Sequence, residues 1–333
     1  MGSVWGLRSR AWMRGWLPSA AVFITVLWYS QAGQGVAHDP PYGPFGPEGP
    51  RLREQLWLLP GGDPKVPLRA TVFRPRDEVE PAAARGWLDR PALSPRPLAV
   101  INHGSDEATR EAVAMPVFYW LSRWFVDRGY VVVLPQRRGH GATGGELAEG
   151  RDTCAAPRHR AAGAAAADDI GAALRYMARQ PFVDRSRIVV VGVSTGGWAS
   201  LALASRNPSG VRLVVNFAGG RGGHAYGQPR KVCGPDLLVE AAGDYGSTAR
   251  VPTLWIYAEN DSYFGPEIAT AMVEAWKGSG GSAEFVMLPA WGIDGHDIVA
   301  DRAAWRAWGP RLEAMLAREV ALPRLSDSRG RDR

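Results

Sequence analysis

Between residues 52 and 320, short and almost unbroken apolar runs alternate with longer stretches in which apolar residues recur every three or four positions. The runs are LWLL (56–59), LRATVF (68–73), PLAVIN (97–102), YVVVLP (130–135), RIVVVG (187–192), RLVVNFAG (212–219), TLWIYA (253–258) and EFVMLP (284–289). Continuous apolarity rich in Val and Ile predicts strands covered on both faces, the signature of a parallel sheet. LWLL and LRATVF, separated by PGGDPKVP, predict an early hairpin. The stretch AAGAAAADDIGAALRYMARQ (161–180) sets Ile170, Leu174 and Met177 on one helical face, and FYWLSRWFVDRG (118–129) ends in Gly129, a helix-stop signal. This alternation predicts an α/β domain over 52–320, with a mostly parallel central sheet and helices on both faces. In such sheets ligands and chemistry gather at the carboxyl ends of the strands.

The two ends follow other patterns. Residues 1–37 carry Arg8, Arg10 and Arg14, then the apolar run WLPSAAVFITVLWYS, then small residues, with no acidic residue among them. That is the layout of a secretory signal peptide, with cleavage expected after Ala37 or Ala32. The run falls short of the ~20 residues needed to span a bilayer, so stable membrane insertion is not expected, and an uncleaved N-terminal anchor is the alternative. Residues 38–51, with HDPPYGPFGPEGP, predict a Pro/Gly linker without regular structure, and 321–333 predict a flexible tail.

Charge and cysteine content follow from this. The formal charge of +6 includes the three leader arginines, so the exported chain would carry +3. Only three lysines occur, Lys65, Lys231 and Lys277, and the arginines are scattered among 33 acidic residues, which speaks against a nucleic-acid partner. In an oxidising compartment Cys154 and Cys233, the only cysteines, could form one disulfide. Two unrelated buried thiols are the alternative.

The run RIVVV leads directly into VGVSTGGWAS (191–200). A strand that reverses sharply into a helix strains the residue at the bend, and glycines two before and two after relieve the crowding. Ser194 would then project above the sheet edge as a nucleophile. The amide of Thr195 would lie at a helix N-terminus, where an unpaired donor favours a developing oxyanion. A serine needs a base. Of six histidines, His296 in WGIDGHDIV follows the last strand and can reach over the sheet edge, whereas His38 lies in the linker, His140, His159 and His224 in loop sequence, and His103 after PLAVIN. Asp261, just beyond TLWIYA, is the expected orienting carboxylate, with Glu259 as the alternative, and Asp294 and Asp297 read as solvated or loop-bracing.

The order Ser194, Asp261, His296 and the motifs NHGS (102–105), PQRRGHGATGG (135–145), GVSTGG (192–197), ENDSYF (259–264) and DGHD (294–297) resemble the α/β-hydrolase superfamily. The likeness is closer to its dienelactone-hydrolase and prolyl-oligopeptidase-type branch. The resemblance implies acyl transfer through a Ser194–Asp261–His296 triad, with the backbone amide of Ser105 as second oxyanion donor and His103 and Gly104 shaping its turn. Dienelactone hydrolases proper use cysteine as nucleophile, so their substrate is not carried over. Long segments at 136–161 and 219–250 hold Cys154 and Cys233 and are expected to form a small cap stapled by the bridge, with Arg137, Arg138, Arg221, Tyr226 and Trp291 as candidates to line the pocket.

The expected activity is that of an exported serine esterase acting on a small-molecule acyl substrate. A peptidase or amidase of prolyl-oligopeptidase type, or a non-catalytic binding protein of the same fold, are the alternatives. AGGRGGHAYG lacks the lysine and hydroxyl pair of a nucleotide loop, and no ligand cluster or nicotinamide fingerprint is present, so neither metal nor cofactor is expected.

Overall fold

The computed structural model describes residues 42–75, 95–105, 110–150 and 153–320. The expected signal peptide and C-terminal tail lie outside them. The strands are β1 (Gly43–Phe45), β2 (Gln55–Leu59), β3 (Leu68–Phe73), β4 (Arg96–Asn102), β5 (Val131–Pro135), β6 (Val183–Val193), β7 (Val211–Phe217), β8 (Thr253–Ala258) and β9 (Ala283–Leu288). They form one sheet in the order β1-β2-β3-β5-β4-β6-β7-β8-β9. β1, β2, β3 and β5 pair antiparallel, and every pair from β5 across to β9 is parallel. The helices are α1 (Tyr119–Val126), α2 (His159–Met177), α3 (Thr195–Ala204), α4 (Pro235–Thr248), α5 (Pro266–Gly278) and α6 (Trp305–Glu319). None of the described helices is long and apolar enough to cross a membrane.

The continuous runs are explained by burial on both faces. Along β8, Trp255 and Tyr257 join a core with Trp198, Trp276 and residues of α2 to α5, while Leu254, Ile256 and Ala258 join a second core with Phe125, Trp308 and residues of α1 and α6. A strand with two apolar neighbours has no polar face to show.

Two expectations are corrected. The segment 38–51 was expected to hold no regular structure, yet Gly43–Phe45 pair with Leu56–Leu58 as the edge strand. An edge strand bonds on one side only, the setting in which a proline such as Pro44 is tolerated. The segment 219–250 is not all cap, because Pro235–Thr248 form α4, packed on α2 and α5. Among the described residues of these two segments, cap-like loop is therefore confined to 136–150, 153–158 and 218–234.

The parallel strands put the carboxyl ends of β4, β6, β8 and β9 along one edge. Each of these ends leads into one of the candidate residues.

Candidate active site

Ser194 sits between β6 and α3 at φ 56°, ψ −126°, a conformation non-glycine residues rarely adopt. Such strain costs ~1–3 kcal/mol and persists only where the surroundings enforce it. The glycines allow those surroundings to close in. A Cβ on Gly192 would lie 2.2 Å from the Gly196 carbonyl oxygen, and one on Gly196 2.3 Å from the carbonyl oxygens of both Asn102 and His103. The elbow thus packs directly on the end of β4.

His296 is carried by a 3-10 turn, Gly295–Ala300, after β9. Its Nδ1 lies 3.1 Å from both carboxylate oxygens of Asp261. Asp261 is fully buried, and its Oδ1 also accepts the amides of Tyr263 (2.8 Å) and Phe264 (2.9 Å), which offsets the desolvation of the carboxylate. Contact with a carboxylate holds the proton on Nδ1 and leaves Nε2 as the lone-pair nitrogen. The alternative carboxylate, Glu259, is exposed. Asp294 braces the loop as expected: its Oδ1 accepts the amides of Ser262 (3.0 Å) and His296 (2.9 Å). Burial pushes the Asp294 carboxyl up, but hydrogen bonds from Ser262 and the His296 amide outweigh it, and the net shift is downward.

Ser194 and His296 line one cavity of about 1050 Å³ together with Ser105 and Thr195. No hydrogen bond joins the Ser194 hydroxyl to the imidazole among the described residues, and in ligand-free hydrolytic sites that bond is often open until substrate arrives.

The Ser105 side rests on buried polar scaffolding. Ser105 Oγ and Thr195 Oγ1 are 3.1 Å apart, tying the ends of β4 and β6. His103 Nε2 accepts the Arg137 amide at 3.1 Å, so Nδ1 holds the proton and donates to the Gly104 carbonyl at 2.7 Å. Burial drives the His103 pKa well below its ordinary value, and Arg137 and His140 push the same way. The guanidinium of Arg137, fully buried, donates to the His103 carbonyl (2.6 Å) and to Glu149 (2.6 Å), which also pairs with Arg221 at 3.1 Å. Burial raises the Glu149 pKa, but Arg137 and Arg221 more than offset it, for a net lowering.

Of the five pocket candidates, Arg221 and Tyr226 line the cavity. Arg137 lies beneath the loop, Arg138 pairs with Asp169 at 2.7 Å, and Trp291 donates to Asp301 at 3.0 Å. Cys154 and Cys233 are joined as a disulfide and form part of the wall. Sequence reasoning missed an apolar ribbon, Val113–Phe118, along another wall. Its backbone is pinned from behind, where Gln136 donates to the carbonyls of Val113 (3.0 Å) and Ala114 (3.3 Å) and Ser122 to that of Val117 (2.7 Å). A run of six uncharged residues before α1 was its only signal. Among the described residues no three His, Cys or carboxylate side chains stand where they could hold a metal ion.

Known proteins agree with this architecture. The prolyl oligopeptidase family model matches residues 116–228, which include Ser194. A curated relative, polyketide transferase af380 of Aspergillus fumigatus, is 32% identical over 120 residues, 36% of each chain. The acylaminoacyl peptidase of Pyrococcus horikoshii superposes with a TM-score of 0.55 at 17% identity, over 80% of this chain and 41% of that one. An esterase of Pyrococcus furiosus gives 0.54 at 14% identity, over 84% of this chain and 97% of that one. The chain therefore spans about a third of the curated relative and about two fifths of the peptidase, and at these identities the solved structures speak to the fold.

Proposed function

We propose that the chain, whose sheet has the α/β-hydrolase arrangement and part of which matches the prolyl oligopeptidase family model, is a serine hydrolase of the prolyl-oligopeptidase and dienelactone-hydrolase-like kind, an exported esterase working through an acyl-enzyme on Ser194. The carrying observation is the pairing of His296 Nδ1 with buried Asp261 in the cavity that holds the strained Ser194.

His296 Nε2 takes the proton of Ser194 as Oγ attacks the substrate carbonyl carbon. The amides of Thr195 and Ser105 hold the oxyanion that forms, and Asp261 keeps the imidazolium oriented. Collapse expels the alcohol, which leaves with the proton from His296. Water then attacks the acyl-serine by the same path, releasing the acid and restoring Ser194.

One observation favours an ester with an apolar acyl group: the Val113–Phe118 ribbon gives such a group an apolar wall. The prolyl oligopeptidase match favours a peptidase or amidase as the second reading. The disulfide supports export, because such bonds persist in oxidising compartments; N-terminal sequencing of exported protein tests it, and a chain still beginning at Met1 overturns signal cleavage.

A fluorophosphonate probe should label wild type and not Ser194→Ala, and p-nitrophenyl esters should be turned over. Turnover of peptide amides without esters would move the assignment to the second reading, and absence of labelling would overturn the catalytic assignment.

A further inference from the structure

Three rings form a column in the cavity wall. His224 stacks on Tyr263 with centroids 3.7 Å apart and planes 7° apart, and Tyr263 stacks on His296 at 4.3 Å and 29°. Two near-parallel rings so close to one centroid cannot share a face without overlapping each other. The imidazoles therefore occupy opposite sides of the phenol ring. A polar chain runs beside the column. Ser262 donates its only hydroxyl proton to Asp294, so His224 Nε2 is the donor in its 2.8 Å bond to Ser262 Oγ. Asp294 in turn accepts the His296 amide at 2.9 Å.

His224 is held in this place by a tightly bound loop. It has a left-handed backbone (φ 56°, ψ 38°), as does Tyr226, a conformation that favours Gly or Asn where only a turn is required. Around it a bridge pairs Gly223 with Val232, the Ala225 amide donates to the Lys231 carbonyl (2.9 Å) and the Cys233 amide to the Gly222 carbonyl (2.8 Å). Cys233 is then tied to Cys154.

We propose that His224 is a positioning residue for acyl transfer: carried on the disulfide-anchored hairpin, its ring backs Tyr263, whose other face holds the His296 imidazole on Asp261 with Nε2 free for the Ser194 proton. The inference rests on His296 being the base. The electron-rich face of Tyr263 also attracts the imidazolium that exists while His296 carries that proton, so the column acts on turnover more than on ground-state binding.

The test measures kcat and KM separately on an ester cleaved by wild type. His224→Ala should lower kcat about tenfold, or about 1.4 kcal/mol, with KM within about twofold. His224→Phe keeps the ring without the hydrogen bond and should recover to within about threefold of wild type. An unchanged kcat in His224→Ala, a Phe variant as damaged as the Ala variant, or a loss confined to KM would each overturn the proposal. If His224→Ala does not fold, Tyr263→Leu and Tyr263→Phe carry the same comparison, with the tenfold loss expected of Leu alone; equal kcat in the two overturns it. Fluorophosphonate labelling keeps the two readings apart. Unlabelled wild type removes the base assignment, whereas labelled wild type with a fully active His224→Ala removes only the column.

Discussion

Gly104 and Ser194 are in contact across the ends of β4 and β6: a Cβ on Gly104 would lie 2.9 Å from the Ser194 Cβ and 3.5 Å from its Oγ. The tightest contact is thus with the proposed nucleophile, whose elbow cannot retreat because it already presses on Asn102 and His103. Gly104→Ala should therefore tilt the hydroxyl and lower kcat by about a hundredfold, the scale of a 1 Å misplacement of a reacting group. The melting temperature should stay within a few degrees of wild type. Ester turnover with thermal melts checks this, and a fully active alanine variant would show that the contact is slack.

The backbone of Ser194 carries a cost that its side chain's role would explain. At φ 56°, ψ −126° a glycine is nearly free of strain, while alanine keeps the Cβ that causes it. Relief of ~1–3 kcal/mol exceeds the ~0.5–1 kcal/mol by which glycine favours the unfolded chain. Ser194→Gly is expected to melt above Ser194→Ala, with neither variant labelled by the probe. Calorimetry on the pair decides it, and equal melting points would mean that the bend is not strained.

How much of this could be read from the sequence depends on how local the cause is. The β6 to α3 turn announces itself because a buried run leads straight into a serine and three glycines within 192–197. Chain order and strand ends brought Asp261 and His296 to one edge, and their hydrogen bond is what the structure adds. β1 was missed because three residues containing Gly43 and Pro44 carry no periodicity. α4 was missed because much of its inner face, at Ala241, Ala242 and Gly243, is small and only weakly apolar. Glu149 gave no signal at all, since its burial depends on Arg137 and Arg221, two arginines from different loops, converging on it. The His224 column likewise joins rings from three loops.

The Cys154–Cys233 bridge closes a separation of 79 residues. Restricting the unfolded chain over such a loop is worth about 4.5 kcal/mol in the chain-entropy account. Replacing both cysteines by serine should reduce stability to denaturant by that order. Added reductant should lower the melting temperature of wild type and leave the double variant unmoved. Equal sensitivity of the two proteins to reductant would contradict the bridge.

Acid should weaken the fold through its buried histidines. Burial lowers the His140 pKa from 6.5 to about 4, with Arg137 assisting, and that of His103 also lies well below 6.5. Well above 6.5 both are neutral, folded or unfolded, and impose no pH slope. As pH falls through 6.5 the unfolded chain takes up protons that the fold refuses, so stability declines from there down to about 4 for His140, and His103, also lowered, adds to the decline. Glu149, whose folded pKa is lowered, contributes stability above its unfolded value and loses it as pH falls through the folded one, extending the decline further into acid. Melting temperatures from pH 8 to 4 should show this slope, and His140→Phe should flatten its upper part.

Met115 tests the ribbon as the acyl wall. It is half-buried, lines the cavity and belongs to neither sheet core, so changing it alters the wall with little effect on the fold. An apolar acyl chain packed there gains ~25 cal/mol per Å² of surface removed from water, whereas an acetyl group is too short to collect much of that gain. Met115→Asp should lower kcat/KM for hexanoyl esters by about tenfold or more, since a desolvated carboxylate disfavours the bound chain. Acetyl esters should remain within about twofold of wild type, because the loss is specific to what touches the wall. A p-nitrophenyl series of increasing acyl length reads the difference directly. A loss of equal size at every length would place the defect at Ser194 or the proposed oxyanion amides and take the acyl group away from the ribbon.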